Sequence, residues 1–281
     1  MKALSEFIKK RISCRTYVDR SLEDKVLAEL SGHISAAQIG PFGNQPNFKL
    51  IHLDNLTPQE WKKLGTYGVI KNARYFLIGT INNTPLAMED LGYCKEILIL
   101  KATALGLGTC WLGGTFQASS FAQAAGLREG EILPTVSPIG YPAETKSLTE
   151  KIMRRFAGSD HRKPWPELFF ANDFATPLTQ AQAGKYCDAL ENLRLAPSAS
   201  NKQPWRVLLD TAKNTFHFFL ERSLQYKMLG IVHLQDIDLG IAMSHFEITA
   251  RDQGVMGKWQ VDPNAPKEKL LDYIVSWQSE N

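Results

Sequence analysis

The chain has 281 residues, of which 44% are hydrophobic and 22% are charged, and its formal net charge is +3. These values are typical of a globular protein and exclude a disordered or fibrous chain. The small net charge, without a run of basic residues, argues against nucleic acid as a partner, since each phosphate contact needs a Lys or Arg.

The four cysteines form no CxxC pair and have no metal-ligand spacing, which predicts reduced thiols and no metal site. The amino terminus lacks the continuous apolar stretch of a signal peptide. No segment approaches the roughly 18 uninterrupted apolar residues of a membrane-spanning helix. We therefore expect a cytoplasmic protein without a membrane partner.

The first part of the chain predicts alternating helices and strands. A short helix is expected over residues 1–10, and a second helix is expected after a capping box that begins at Ser21. A long apolar helix follows, with Asp90 as its N-cap and Gly106 just after its last turn. Three strands are expected here, over residues 47–53, 75–81 and 133–141.

Residues 156–180 mix proline, glycine, charges and aromatic residues, and they predict a segment that crosses the fold. Trp165 and Phe169 indicate that this segment packs against the protein and is not a flexible linker. Beyond it we expect one helix over residues 181–194 and two strands over residues 205–210 and 215–221.

Several features of the first part recur in the second part at one constant offset. Each set comprises a carboxylate at a helix start, a glycine at its end and a tryptophan in the next strand. The pairs are Asp90-Leu91-Gly92 with Asp238-Leu239-Gly240, Gly106 with Gly254, and Trp111 with Trp259. This agreement in order and spacing predicts an internal duplication, and coincidence of common residues is the alternative.

Two segments have residue types suited to an anion or a flat ring. Arg11, Ser13 and Arg15 alternate along an extended segment and therefore point to one side, as a phosphate site requires. A solvated basic turn is the alternative. The string from Ala196 to Trp205 combines small residues with polar side chains that can bond ring heteroatoms, and a simple helix-to-strand connection is the alternative.

A third segment, residues 106–114, is rich in glycine and allows backbone N–H groups to approach a ligand closely. It is not a dinucleotide-binding fingerprint, because Trp111 stands where that motif needs glycine and the segment follows a helix. A helix C-cap is the alternative interpretation and is favoured for Gly106, whereas capping explains Gly108 less well.

Together these segments resemble the FMN-dependent nitroreductase family, over nearly the whole chain. The family's Arg-x-Ser-x-Arg-x-aromatic opening is matched up to Tyr17, and its Gly-x-Gly-x-x-Trp-x-Gly-Gly stretch is matched at 106–114. Its Pro-Ser-Ser-x-Asn-x-Gln-Pro-Trp string is matched at 197–205, with Ala199 replacing the second Ser. Its Gly-Tyr-Pro-Ala and basic-Lys-Pro segments are matched at 140–143 and 162–164.

The resemblance implies an α+β fold, a nitroreductase-like α/β/α sandwich, and one FMN bound between two related halves. The first half, residues 1–165, has the basic segment and the glycine stretch, and the second, residues 166–281, has the intact Pro-Ser string. The loop at 40–46 lacks the serines of that string. We therefore expect one complete site per chain in a monomer that acts as a pseudo-dimer.

The resemblance also assigns the cofactor-binding residues, and it assigns no catalytic side chain because the flavin supplies the chemistry. The residues are Arg11, Ser13, Arg15, Gly106, Leu107, Gly108, Arg162, Lys163, Pro197, Ser198, Ala199, Ser200, Asn201 and Gln203. A surface role is the alternative for Arg162 and Lys163.

The implied activity is NAD(P)H-dependent reduction of a small-molecule acceptor, such as a nitroaromatic or a quinone, by hydride transfer through flavin N5. Three alternatives stay open at this point. They are reductive dehalogenation or flavin fragmentation by a relative of the family, a non-enzymatic flavin-binding or sensing protein, and a fold without any cofactor.

Overall fold

A computed structural model describes residues 3–36, 38–52, 70–113, 121, 126–145, 161–224 and 234–280. Within them the chain forms two five-stranded sheets and two long, buried helices. The α-helices are α1 (Asp24–Ser35), α2 (Ala87–Ala104), α3 (Gln180–Ala183), α4 (Cys187–Arg194) and α5 (Leu234–Asp252). No helix in these ranges has the length and apolar character needed to cross a membrane.

The first sheet is antiparallel and has the strand order β1-β2-β5-β3, with β4 also paired to β5. Its strands are β1 (Asn47–His52), β2 (Tyr75–Asn82), β3 (Gly108–Thr109), β4 (Leu112–Gly113) and β5 (Glu131–Gly140). The three strands expected from the sequence are confirmed. β2 is buried up to its last residue because it lies between β1 and β5.

The second sheet has the order β6-β7-β8-β10-β9. Its strands are β6 (Phe169–Ala171), β7 (Trp205–Asp210), β8 (Thr215–Leu220), β9 (Gly257–Gln260) and β10 (Asp272–Ser279). From β7 onward this order repeats that of β1, β2, β5 and β3. The added strand β6 pairs in parallel with β7, and Trp165 packs on Phe169 with ring centroids 4.5 Å apart, so the expected packing of the crossing segment is confirmed.

The two long helices pack against each other at two glycines that correspond to each other in the sequence repeat. A methyl group on Gly92 would lie 2.3 Å from the carbonyl oxygen of Ile237, and one on Gly240 would lie 2.0 Å from that of Glu89. Ile237 follows Glu89 by the same offset that separates Gly240 from Gly92, so the two contacts correspond to each other in the sequence repeat. The close approach of the two backbones requires glycine at both positions.

Three details of the helices differ from the expectations. Helix α1 begins at Asp24 with Glu23 as its N-cap and without a side-chain cap, so the capping box at Ser21 is wrong. Helix α2 begins at Ala87, before Asp90, which is therefore not its N-cap. The helix expected over 181–194 is interrupted at Gly184, whose φ of 53° separates α3 from α4.

Glu89 is a buried carboxylic acid at the helix crossing. Burial, together with the charge of Asp236, raises the pKa of Glu89 from 4.5 to about 7. Between these two pH values the folded protein keeps a proton that the unfolded chain has released, so stability falls as the pH rises through this window. The difference between the two pKa values corresponds to a decrease of roughly 3 kcal/mol in the free energy of unfolding, and this decrease is complete above pH 7.

The side chain in Glu89→Gln does not titrate. Between pH 5 and pH 8 the free energy of unfolding of this variant is therefore expected to increase by on the order of 2 kcal/mol relative to that of the wild type. Urea unfolding of both proteins at the two pH values measures this difference. The matched control is Glu129→Gln, at an exposed turn position. An equal pH effect in both variants would show that burial of Glu89 is not its cause.

Candidate functional site

The basic segment lies alongside the glycine-rich segment. Ser13 forms a parallel bridge with Thr109 of β3, and the backbone N–H of Cys14 donates to the Thr109 carbonyl at 2.8 Å. A methyl group on Gly108 would lie 2.8 Å from both Cβ and Sγ of Cys14. The need for glycine at Gly108 is therefore explained by packing against the basic segment.

The other members of the glycine-rich segment have different environments. Gly106 is exposed and adopts a φ of 77° just after α2, which confirms its expected place at the end of that helix. Leu107 is buried in the core. Gly114 lies outside the described residues.

The guanidinium groups of the basic segment have buried N–H groups that no described residue accepts. Arg11 is only 8% exposed, and its Nε and Nη1 lack a hydrogen-bond partner among the described residues, as does Nη1 of Arg15. Leaving such a group unpaired costs about 1–3 kcal/mol, and more for a charged group. These donors therefore suit an anion that accepts several hydrogen bonds, such as a phosphate.

The Pro-Ser string folds into a strained turn before β7. Ser200, Asn201 and Gln203 have φ values of 47°, 54° and 49°, in the left-handed region that residues other than glycine rarely adopt. Internal hydrogen bonds stabilise the turn, because Ser198 Oγ accepts from the Gln203 N–H at 2.9 Å. Backbone strain of this kind is concentrated at functional sites in proteins.

The predicted basic pair contacts this turn. Arg162 Nη1 donates to Asn201 Oδ1 at 3.2 Å, and the Lys163 N–H donates to Gln203 Oε1 at 2.8 Å. The ammonium of Lys163 lies 3.6 Å from Glu221, and partial burial lowers the pKa of Lys163. The structure therefore brings the residues at 162–163 and 197–203 together.

Two equivalent carboxylates hold two loops. Both oxygens of Asp238 accept from the Ala199 N–H, at 2.9 and 3.0 Å. In the first half, Asp90 accepts from the N–H groups of Phe42 and Asn44, at 3.0 and 2.9 Å. Burial raises the pKa of both carboxyls, and the loop N–H donors oppose that shift. The function of these residues is to anchor loops that lead into β1 and β7.

One face of α5 connects the three predicted segments. Leu234 contacts Gly113 of the glycine-rich segment, Asp238 holds the Pro-Ser string, and His245 bonds Glu96, which pairs with Arg11 of the basic segment. Positions four and eleven residues after Leu234 lie within about 40° of it around an α-helix. The anchoring positions therefore form one row, about 17 Å long at the helical rise.

The sequence predictions missed a buried polar cluster next to Arg11. Glu96 Oε1 lies 3.0 Å from His245 Nε2, and Trp111 Nε1 donates to Glu96 Oε2 at 2.7 Å. The neighbouring Lys95 is fully buried, donates to Thr135 Oγ1 at 2.9 Å and lies over the Trp111 ring, and burial lowers its pKa well below the usual value. The adjacent charges of Lys95 and Glu96, in the middle of a mostly apolar helix, were the available signal for this cluster.

The family comparison identifies the class of protein. Residues 3–250 match the family described as "Putative TM nitroreductase". The chain belongs to this family. Its fold is accordingly the mixed α/β fold of the nitroreductase family, as expected from the sequence, and the protein falls within the nitroreductase-type oxidoreductases.

One relative and two solved structures show the range of similarity to this chain. A protein of Archaeoglobus fulgidus described as "Putative NADH dehydrogenase/NAD(P)H nitroreductase" is 25% identical over 177 residues, which cover 59% of this chain and 100% of the relative. The crystal structure of a "putative nitroreductase" from Thermotoga maritima MSB8 has a TM-score of 0.60 and 19% identity, covering 99% of this chain and 93% of that one. A nitroreductase with bound FMN from Bacteroides fragilis NCTC 9343 has a TM-score of 0.41 and 19% identity, covering 53% and 92%.

Proposed function

We propose that the chain binds one FMN and reduces small acceptors, such as nitroaromatics or quinones, with NADH or NADPH as the electron donor. The observation that carries this proposal is that one face of α5 is linked to all three segments, directly to the glycine-rich and Pro-Ser segments and through Glu96 to the basic segment. The description of the Archaeoglobus fulgidus relative as an NAD(P)H nitroreductase supports the choice of donor.

The residues present fit the phosphate of FMN. Buried N–H groups of Arg11 and Arg15 lack acceptors among the described residues, and Ser13 lies between them in the sequence. We assign these three residues to the phosphate and the ribityl oxygens. Arg162 and Lys163 add positive charge beside the string, and a polyanion at this position would offset the desolvation of that charge.

The other assigned segments position the ring. The small residues of the Pro-Ser string and the backbone around Gly106 to Gly108 would hold the flavin ring. Bound FMN would supply the two-electron redox chemistry that connects NADH or NADPH to the acceptor. The chain therefore contributes binding and orientation, which agrees with the absence of an assigned acid–base side chain.

We further propose that residues 1–165 and 166–281 are duplicated halves that form a pseudo-dimer with a single flavin site. The repeated strand order and the corresponding contacts of Gly92 and Gly240 support the duplication. The loop at 40–46 supports the single site, because it lacks serines and a methyl group on Gly40 would lie 2.2 Å from the Asp90 side chain.

The visible spectrum of the purified protein, with its flavin-to-chain ratio, tests the proposal. A yellow protein with a ratio near one, bleached by NADH or NADPH without oxygen and reoxidised by a quinone, is expected. Flavin that neither donor reduces would instead favour the non-enzymatic flavin-binding function. A colourless protein that takes up no added FMN would overturn the proposal, and a ratio near two would overturn the single site.

A further inference from the structure

Glu96 connects the basic segment to the second half of the chain. Its carboxylate is fully buried, with Oε1 3.8 Å from Arg11 Nε and 3.0 Å from His245 Nε2. The other oxygen accepts from Trp111 Nε1 at 2.7 Å. One side chain on α2 therefore contacts the basic segment, the glycine-rich segment and helix α5.

This arrangement restricts the guanidinium of Arg11. A buried carboxylate is stable only when it is paired and hydrogen-bonded, and Glu96 satisfies this through His245 and Trp111. The contacts with His245 and Trp111 thus fix the carboxylate independently of Arg11. A fixed negative charge at Nε orients the planar guanidinium, whose Nη1 lacks a partner among the described residues.

We propose that Glu96 is a positioning residue that orients Arg11 toward the phosphate of FMN, an inference that rests on the proposed function. His245 belongs to α5, so phosphate recognition by the first half depends on the contact between the two long helices. The amide oxygen of a glutamine at this position can still accept from Trp111 Nε1, so Glu96→Gln removes the charge that faces Arg11 and retains an acceptor for the glycine-rich segment. Removal of its charge therefore weakens binding of FMN and leaves binding of riboflavin, which has no phosphate, unchanged.

The second half offers a matched control. Glu247 is also a buried carboxylate, and its Oε2 accepts from Nε1 of Trp259, the repeat equivalent of Trp111, at 2.6 Å. It also accepts from the Tyr93 hydroxyl at 2.7 Å and pairs with Arg251. No contact of Glu247 within the described residues involves the basic segment. Glu247→Gln thus disturbs a similar buried carboxylate–tryptophan pair that has no described contact with Arg11.

The test compares dissociation constants for FMN and riboflavin, measured by flavin fluorescence with flavin-free protein. Glu96→Gln is expected to weaken FMN binding about tenfold and to leave riboflavin binding within twofold, whereas Glu247→Gln keeps the wild-type ratio of the two constants. In an Arg11→Ala background, Glu96→Gln is expected to have no further effect, because residues that act as a unit are not additive.

An unchanged ratio in Glu96→Gln, an equal change in Glu247→Gln, or additive effects in the double variant would each overturn the positioning role. If Glu96→Gln does not fold, Glu96→Asp keeps the buried charge but withdraws it from Arg11, and the preference for FMN over riboflavin should fall severalfold. A wild-type protein that binds neither flavin would overturn the proposed function itself. Wild-type FMN binding with an unaltered ratio in the variants would overturn only the role of Glu96.

Discussion

Arg11→Ala is expected to weaken FMN binding by about a hundredfold. The substitution removes the buried Nη1 donor together with its positive charge, and a hydrogen bond to a charged group contributes roughly 1.5–3 kcal/mol. A factor of ten in affinity corresponds to about 1.4 kcal/mol, so the upper end of this range gives the expected change. Titration of flavin-free protein with FMN, followed by fluorescence quenching, measures it.

The fold should tolerate this substitution, because Glu96 retains its bonds to His245 and Trp111. The matched control is Arg20→Ala, since the Arg20 side chain is 53% exposed and lies over the Tyr141 ring. It is expected to bind FMN like the wild type. Wild-type affinity in a folded Arg11→Ala protein would remove Arg11 from the site.

The sequence alone could predict much of the fold, because the informative patterns are local. Apolar runs bounded by turn residues located the strands β1, β2, β5, β7 and β8 close to their observed bounds. Gly106 ended α2 for a local reason, its left-handed φ. The constant offset of the repeated residues was likewise visible in the sequence, and the shared strand order gives it a structural counterpart.

Local rules failed where the partner of a side chain is distant in the sequence. Asp90 has the residue type of an N-cap, yet it accepts from the N–H groups of Phe42 and Asn44, which stand 48 and 46 residues earlier. The same tertiary contact recurs between Asp238 and Ala199. A capping rule considers only the next few residues, so it assigned both carboxylates to the nearest helix start.

In the candidate site, too, local patterns could be predicted from the sequence and contacts between distant residues could not. Its ligand-binding segments could be proposed from residue types and order, because each segment is continuous in the sequence. The contact of Glu96 with His245 joins residues that are 149 positions apart, and it exists only because α2 packs on α5. Such a pair cannot be predicted from one sequence, although charged residues within an apolar helix indicate that some buried partner is present.

Gly240→Ala is expected to cause the largest loss of stability, more than about 3 kcal/mol. The new methyl group would lie 2.0 Å from the Glu89 carbonyl oxygen and 2.9 Å from the Tyr93 nitrogen. Both are backbone atoms of a buried helix, so no side-chain rotation can relieve the overlap and the helices must separate. Thermal unfolding should show a decrease in Tm of roughly 6–12 °C for a chain of this size.

Gly32→Ala is the control for helix propensity alone. Gly32 lies inside α1, where a methyl group would meet no atom within 4 Å, so this change should stabilise the protein by roughly 0.5–1 kcal/mol. Alanine has a higher helix propensity than glycine at both positions. Because the stability is nevertheless expected to fall in Gly240→Ala and to rise in Gly32→Ala, the comparison isolates the contact between α2 and α5. Equal stabilisation by both substitutions would mean that these helices do not approach each other at Gly240, and the proposed pseudo-dimer would lose one of its two supporting contacts.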